Sequence, residues 1–221
     1  MGAIRERKIK REYFLMAIHY RTLGFCIKKI ERGEADQVLT FYTKDYGKLA
    51  ILGKAIRKIT SKLRSGAGLF YLSEIEFIQG KNHKTLTDAI LIDKFSNIRK
   101  SLKRLKIACQ IAELLDSLVV KEEKDEQIWQ LLQETLGKLN SLKKTEVIYF
   151  YFFWHLVSLL GYEPEIQGCA VDGEKINCDV IKILRVILKK DWPILSRLKL
   201  EPVHLKLLKD VSEWYNKKIM L

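Results

Sequence analysis

The segment Cys169-Ala170-Val171-Asp172-Gly173, with Cys178 following it, comes nearer to a ligand set than any other stretch of the chain. A zinc knuckle uses C-x-x-C followed by Gly, because the tight turn lets two thiolates face one ion at about 2.3 Å and a second pair closes the tetrahedron. Here Asp172 stands at the second thiolate position and one further cysteine follows. Cys169, Asp172 and Cys178 are three donors of mixed hardness with no fourth, so this is a degenerate site and neither zinc nor another cofactor is expected. The histidines at 19, 83, 155 and 204 are scattered, none at His-x-x-x-His spacing. No G-x-S-x-G, Walker A or G-x-G-x-x-G pattern occurs, so no nucleophile elbow or phosphate-cradling loop is signalled. Glu122, Glu123, Asp125 and Glu126 read as a solvated run at a helix start, where negative charge complements the macrodipole. No catalytic residue emerges, and the chain is read as a non-enzyme.

Cations carry the stronger signal. Over 221 residues, 40 Lys and Arg stand against 27 Asp and Glu, a formal charge of +13. Such an excess favours a polyanionic partner without saying which. Its distribution is uneven: residues 44–64 hold Lys44, Lys48, Lys54, Arg57, Lys58, Lys62 and Arg64 against the single acid Asp45. A second run, Arg99, Lys100, Lys103, Arg104 and Lys106, has no acid between Asp93 and Glu113. Tyr42, Tyr46 and Phe70 lie near the first run in sequence. Single-strand binding uses that pairing, cations along the backbone and rings under the bases. The bland reading of both runs is a solvated basic face.

These residues must be positioned by two kinds of element. From Ile18 to Phe95, the stretches His19–Lys28, Gln37–Thr43, Lys48–Gly53, Leu69–Gln79 and Lys84–Asp93 are β-like, each bounded by Gly, Asp, Asn or Ser. Residues 72–79 (LSEIEFIQ) alternate polar and apolar positions as a half-buried strand requires. Asp45-Tyr46-Gly47-Lys48 and the 79–83 segment read as hairpin turns. Five short strands with a basic loop between the third and fourth suit a small closed barrel. A five-stranded OB-fold leads, and an SH3-like barrel fits the periodicity almost as well.

After Phe95 the period becomes helical. Ile98, Leu102, Leu105, Cys109, Ala112, Leu115 and Val119 form one apolar stripe, which places a helix after Ser96 as N-cap. Residues 125–139, 145–160, 180–189 and 203–217 read as further helices. The expected organisation is therefore α+β: an extension over 1–15, a barrel over 16–95 and an all-helical domain over 96–221 carrying the degenerate knuckle at 169–178. Met16 is an alternative start.

The N-terminus is charged and lacks the apolar core of a secretory signal, which argues for a cytoplasmic protein. Its four cysteines are then expected as reduced thiols. The longest apolar run, Val147–Leu160, has 14 residues. A membrane span needs about 20, so a buried core helix is expected and no membrane partner.

Several ordered motifs resemble those of the RecO family of bacterial recombination mediators. The run from Gly33 to Leu49 (GEADQVLTFYTKDYGKL) is similar to the family's G-E-A-D, L-T-x-x-T and Y-G-K-L elements. Ser61-Lys62-Leu63-Arg64, Leu86-Thr87-Asp88-Ala89 and residues 159–164 (LLGYEP) resemble its S-K-L-R, L-T-x-A and L-L-G-Y-x-P segments. Cys169–Gly173 aligns with its C-A-V-C-G knuckle, departing at Asp172. The resemblance covers about residues 18–180. It implies an OB-fold joined to a helical domain, with zinc in some members. It also implies a non-enzymatic protein that binds single- and double-stranded DNA and anneals complementary strands. With RecR, such a protein loads RecA onto strands coated by single-strand-binding protein, and the family's contact with the acidic tail of that protein is attributed to the helical domain. The candidate DNA-binding residues remain charge-run inferences: Lys44, Lys48, Lys54, Arg57, Lys58, Lys62, Arg64, Arg99, Lys100, Lys103 and Arg104. Two other classes stay open, an enzyme acting on nucleic acid and an adaptor that binds proteins through its helical half without annealing DNA.

Overall fold

The computed structural model describes residues 18–120, 122–142, 145–198 and 200–220. The expected extension over residues 1–15 lies outside them. The chain clusters into two compact units.

The first unit runs to Lys94 and also contains Val119–Asp125. Its strands are β1 (His19–Arg32), β2 (Asp36–Thr43), β3 (Gly47–Gly53), β4 (Leu72–Gln79) and β5 (Lys84–Asp93). They close in the order β1-β2-β3-β5-β4, all antiparallel except the short β3–β5 pair, where Ile51 and Leu52 face Lys84 and Thr85. This is an OB-fold. Alternation explains the closure: Leu39 and Phe41, Leu49 and Ile51, Ile75 and Phe77 point inwards from β2, β3 and β4 and join Cys26, Leu86 and Ala89 in one buried core. Register shifts at Cys26/Lys28 on β1 and at Glu76/Phe77 on β4 mark the bulges that let short strands curve. Between β3 and β4 lies a short helix, α1 (Leu63–Gly66), where only a basic loop was expected. Gly66 is essential to its seating, since a β-carbon there would stand 2.0 Å from the Ala89 carbonyl oxygen.

The second unit comprises Phe95–Leu118 and the chain from Glu126 onward. Its helices are α2 (Ser96–Arg99), α3 (Leu102–Leu118), α4 (Glu126–Ser141), α5 (Ile148–Leu159), α6 (Cys178–Leu188), α7 (Trp192–Arg197) and α8 (Pro202–Ile219). The single helix expected from Ser96 is broken at Lys100-Ser101. Phe95 turns into the left-handed region (φ 45°) and no side chain caps α2, so Ser96 is its first residue rather than its cap. The Asn97 amide groups bond Asn140 at the end of α4, which ties this turn down and redirects the chain. Helix α5 is the centre of the unit: Phe150 to Val157 are all buried, including His155, whose ring Nε2 meets the Ile187 carbonyl at 3.0 Å. Burial pushes the His155 pKa down, the direction of a neutral core residue. No helix among the described residues is long and apolar enough to cross a membrane. Helix α7 was not anticipated, although Asp191 caps it by accepting from the Ile194 N–H and a proline opens its first turn.

The knuckle segment is a three-stranded meander, β6 (Ile166–Gln167), β7 (Ala170–Val171) and β8 (Glu174–Lys175). Here the expectation of four reduced thiols is corrected: Cys169 and Cys178 form a disulfide, with Cα atoms 4.8 Å apart. The meander causes it, because the Ile176 N–H donates to the Cys169 carbonyl and folds the later cysteine back onto the earlier one.

Candidate nucleic-acid interface

The first basic run does not form one patch. Lys44 and Lys48 flank the β2–β3 turn, whereas Lys54 follows the far end of β3, where Gly53 pairs with Gln37 beside the β1–β2 turn. Six residue steps at about 3.3 Å separate the two ends by about 20 Å.

At the far end, Lys54, Arg57, Lys58, Lys62 and Arg64 are all exposed on the β3–β4 loop. The loop is nonetheless held firmly. The Ala55 N–H donates to the Asp36 carboxylate at 2.7 Å and the Arg57 N–H to the Ala35 carbonyl at 3.0 Å. Further on, the Phe70 N–H donates to the Cys26 carbonyl at 2.7 Å. Ile56, Ala67 and Phe70 are buried beneath it. Apolar and backbone anchors face inwards, so the cations face water. Arg57 has a loose partner, the Glu31 carboxylate at 3.4 Å, exposed enough to contribute little.

At the hairpin end, the three-residue turn from Lys44 to Tyr46 is fixed by its own side chains. Thr22 donates to Asp45 at 2.7 Å, Thr43 to the Gly47 carbonyl at 2.8 Å, and the Tyr46 N–H to the Thr43 hydroxyl at 3.1 Å. Tyr20, Tyr46 and Phe77 form an aromatic group with centroids 5.3–5.9 Å apart, joining the start of β1, this turn and the end of β4. Because β5 runs parallel to β3, its leading turn (residues 80–83) lies at this same end and adds Lys81 and Lys84. Neither was singled out from sequence; a lone Lys beside a turn gives no local signal. Of the three rings read as stacking candidates, Tyr42 and Phe70 are buried (0% and 2% exposed), and Tyr46 alone is half-buried. The Tyr42 hydroxyl has no hydrogen-bond partner among the described residues, and burial, reinforced by Asp125, pushes its pKa up.

The acidic run stands at the start of α4 with Glu122 and Glu123 exposed, as expected, but it also meets the barrel. Glu126 opens α4, and the described residues before it, 119–120 and 122–125, belong to the barrel unit. Both oxygens of Glu122 accept from Lys84 Nζ (2.8 and 2.7 Å), Lys124 stands 4.0 Å from Asp45, and the Glu123 backbone passes over Gly47.

The second basic run belongs to the helical unit. Arg99 and Lys100 are exposed. Lys103 pairs with Glu146 at 2.5 Å. Arg104 is half-buried and donates to the Leu139, Asn140 and Leu142 carbonyls at 3.0, 2.6 and 2.9 Å. Its guanidinium therefore caps the C-terminus of α4. Beside it, a groove of about 480 Å³ has Ile107, Tyr149, Phe150 and Leu205 in its wall, with Lys106 and Lys206 and the ion pairs Lys103–Glu146 and Lys209–Glu213 around it.

The knuckle residues do not fit a metal. Cys169 and Cys178 are bonded to each other, and the Asp172 carboxylate accepts from the Glu165 N–H and from Lys218, both at 2.8 Å. Burial works against the Asp172 charge, but those donors outweigh it and hold the pKa below the usual range.

Barrel and helices together define a two-unit OB-fold protein with a cationic loop and no assembled metal cluster among the described residues. Residues 16–95 match the family described as "Recombination protein O N terminal" and residues 99–179 match "Recombination protein O C terminal". The chain belongs to the RecO family. A protein from Dehalococcoides mccartyi strain 195 named "DNA repair protein RecO" is 31% identical over 209 residues, covering 82% of this chain and 83% of its own length. Proteins of the same name from D. mccartyi strain BAV1 and Caldanaerobacter subterraneus are 32% and 29% identical. They are matched over 73% and 71% of this chain, which spans 64% of the length of each.

Proposed function

We propose that this chain is a DNA repair and recombination mediator that holds DNA by its phosphates and anneals complementary single strands. The observation that carries the reading is the pinned β3–β4 loop of the OB-fold, which turns Lys54, Arg57, Lys58, Lys62 and Arg64 outwards together. A surface that neutralises phosphates without a base-shaped pocket suits annealing, which must accept any sequence and two backbones at once. Lys44, Lys48 and Lys81 extend it at the other end of β2 and β3, with Tyr46 as the ring within reach of a base. Arg99, Lys100 and Lys103 are the second set of candidates on the helical unit, and Arg104 contributes by holding α4 in place.

In this reading the protein is non-enzymatic and acts with RecR to place RecA on strands coated by single-strand-binding protein. The helical groove supports a role for the acidic tail of that protein, since its apolar wall and the two rim lysines not paired with Glu146 or Glu213, Lys106 and Lys206, suit a peptide carrying both acidic and apolar residues. Binding of a labelled single-stranded oligonucleotide, followed by anisotropy at two salt concentrations, tests the core of the proposal. R57E/K58E/K62E is expected to weaken binding at least tenfold whatever the base sequence and to flatten the salt dependence. Unchanged affinity in that variant rejects the loop as the DNA contact, and strand annealing by the wild type checks the activity itself.

A further inference from the structure

We propose that the described residues of the connection between α3 and α4, 119–120 and 122–125, form an acidic strap that competes with nucleic acid for the hairpin end of the barrel. The inference rests on the DNA-binding reading above and adds a regulatory element to it.

The strap leaves the end of α3, crosses the barrel and leads into α4. Its Glu122 occupies Lys84 with both carboxylate oxygens, the arrangement a phosphate would take on the same ammonium. Lys124 reaches towards Asp45, and the Glu123 backbone lies on Gly47, between Lys44 and Lys48 in the sequence. The strap therefore covers the end of the barrel where Lys44, Lys48, Lys81 and Lys84 collect, and sets three carboxylates (Glu122, Glu123 and Asp125) among them.

Its hold is weak enough to exchange. Val119 is buried but Val120 is 79% exposed, so little apolar surface fastens the segment. Glu122 is 56% exposed although Lys84 is only 18% exposed, so water and a competing anion reach the pair from the carboxylate side. A bound phosphate replaces one anion on Lys84 by another, and the exchange releases the strap instead of a counterion from solution. The expected consequences are weakened affinity and a reduced salt slope in the wild type, because Lys84 is already neutralised before DNA arrives.

The test is a double-mutant cycle read by anisotropy with a single-stranded oligonucleotide at two salt concentrations, with circular dichroism to confirm folding. E122Q/E123Q should bind about three- to tenfold more tightly than wild type at low salt, with a salt slope steeper by about one. K84Q should change little in the wild-type background and abolish the gain in the E122Q/E123Q background, since only there is Lys84 released. Equal affinity in wild type and E122Q/E123Q, or an equal loss from K84Q in both backgrounds, overturns the strap while leaving DNA binding intact. Failure of wild type and E122Q/E123Q alike to bind overturns both readings, whereas binding by E122Q/E123Q alone supports the strap in its strongest form.

Discussion

Gly47 and the carbonyl of Glu123 meet so closely that a β-carbon at position 47 would stand 2.2 Å from that oxygen. The glycine also has φ +61°, a left-handed value that costs other residues about 1 kcal/mol or more. Gly33 has the same φ but nothing within 4 Å of the corresponding β-carbon. The pair separates conformational cost from steric cost. G33A should lower unfolding free energy by about 1 kcal/mol, and G47A by about 1–2 kcal/mol, the same conformational cost plus the strap's weak hold, because the strap must also be pushed away. Denaturant midpoints compared at equal m-value check this, and equal losses would remove the close contact from the account.

That contact also shows where sequence reasoning stops. The five strands could be located from alternation and turn residues, since β-branched and aromatic runs of this length have few alternatives. The cationic character of the β3–β4 loop was readable for the same reason: charge is a property of composition. Lys81 and Lys84 were not, because the β3–β5 pair that brings them beside the hairpin joins residues 33 positions apart. The barrel partner of the acidic run was not legible for a related reason, in that acids at a helix start look alike whether they meet water alone or also a lysine from another element. The Cys169–Cys178 bond depends on a meander of two-residue strands, too short to leave a period.

The disulfide closes a short loop, its cysteines nine positions apart. A loop of this length is worth about 2–3 kcal/mol in the chain-entropy account. Alkylation in denaturant without reductant should therefore label two cysteines, Cys26 and Cys109, and with reductant all four. C169S/C178S should fold with a lowered denaturant midpoint. Four labelled cysteines without reductant would contradict the pairing.

Acid sensitivity should trace in part to Glu76 on the barrel. Its carboxylate is held down to about 2, first by His19 at 2.6 Å, then by Arg21 at 3.0 Å and the Thr87 hydroxyl at 3.1 Å. A carboxyl whose folded pKa is depressed contributes stability above its ordinary value near 4.5, and that contribution disappears as pH falls towards 2. Denaturant midpoints measured from pH 5 to pH 2 should fall more steeply for wild type than for E76Q. Parallel curves would show that the cluster does not persist in solution.

Arg104 was read from sequence as part of a cationic face, yet its guanidinium spends its donors on three carbonyls at the end of α4. The two roles predict opposite behaviour for R104M, which keeps the side-chain length and removes the charge. A cap loses charge-assisted hydrogen bonds and leaves half-buried carbonyls short of partners, a cost of about 2–3 kcal/mol. A phosphate contact loses binding instead, with the salt slope reduced by about one and stability nearly unchanged. The geometry favours the cap, because a guanidinium already meeting three oxygens must break those bonds before it can serve a phosphate. R104M should therefore show a lowered denaturant midpoint, with the affinity of the folded protein for single-stranded DNA and its salt dependence both retained. R99Q/K100Q, on exposed neighbours, provides the contrast: unaltered stability, with any change appearing in binding alone. A stable R104M that binds DNA with a flattened salt slope would return Arg104 to the binding face.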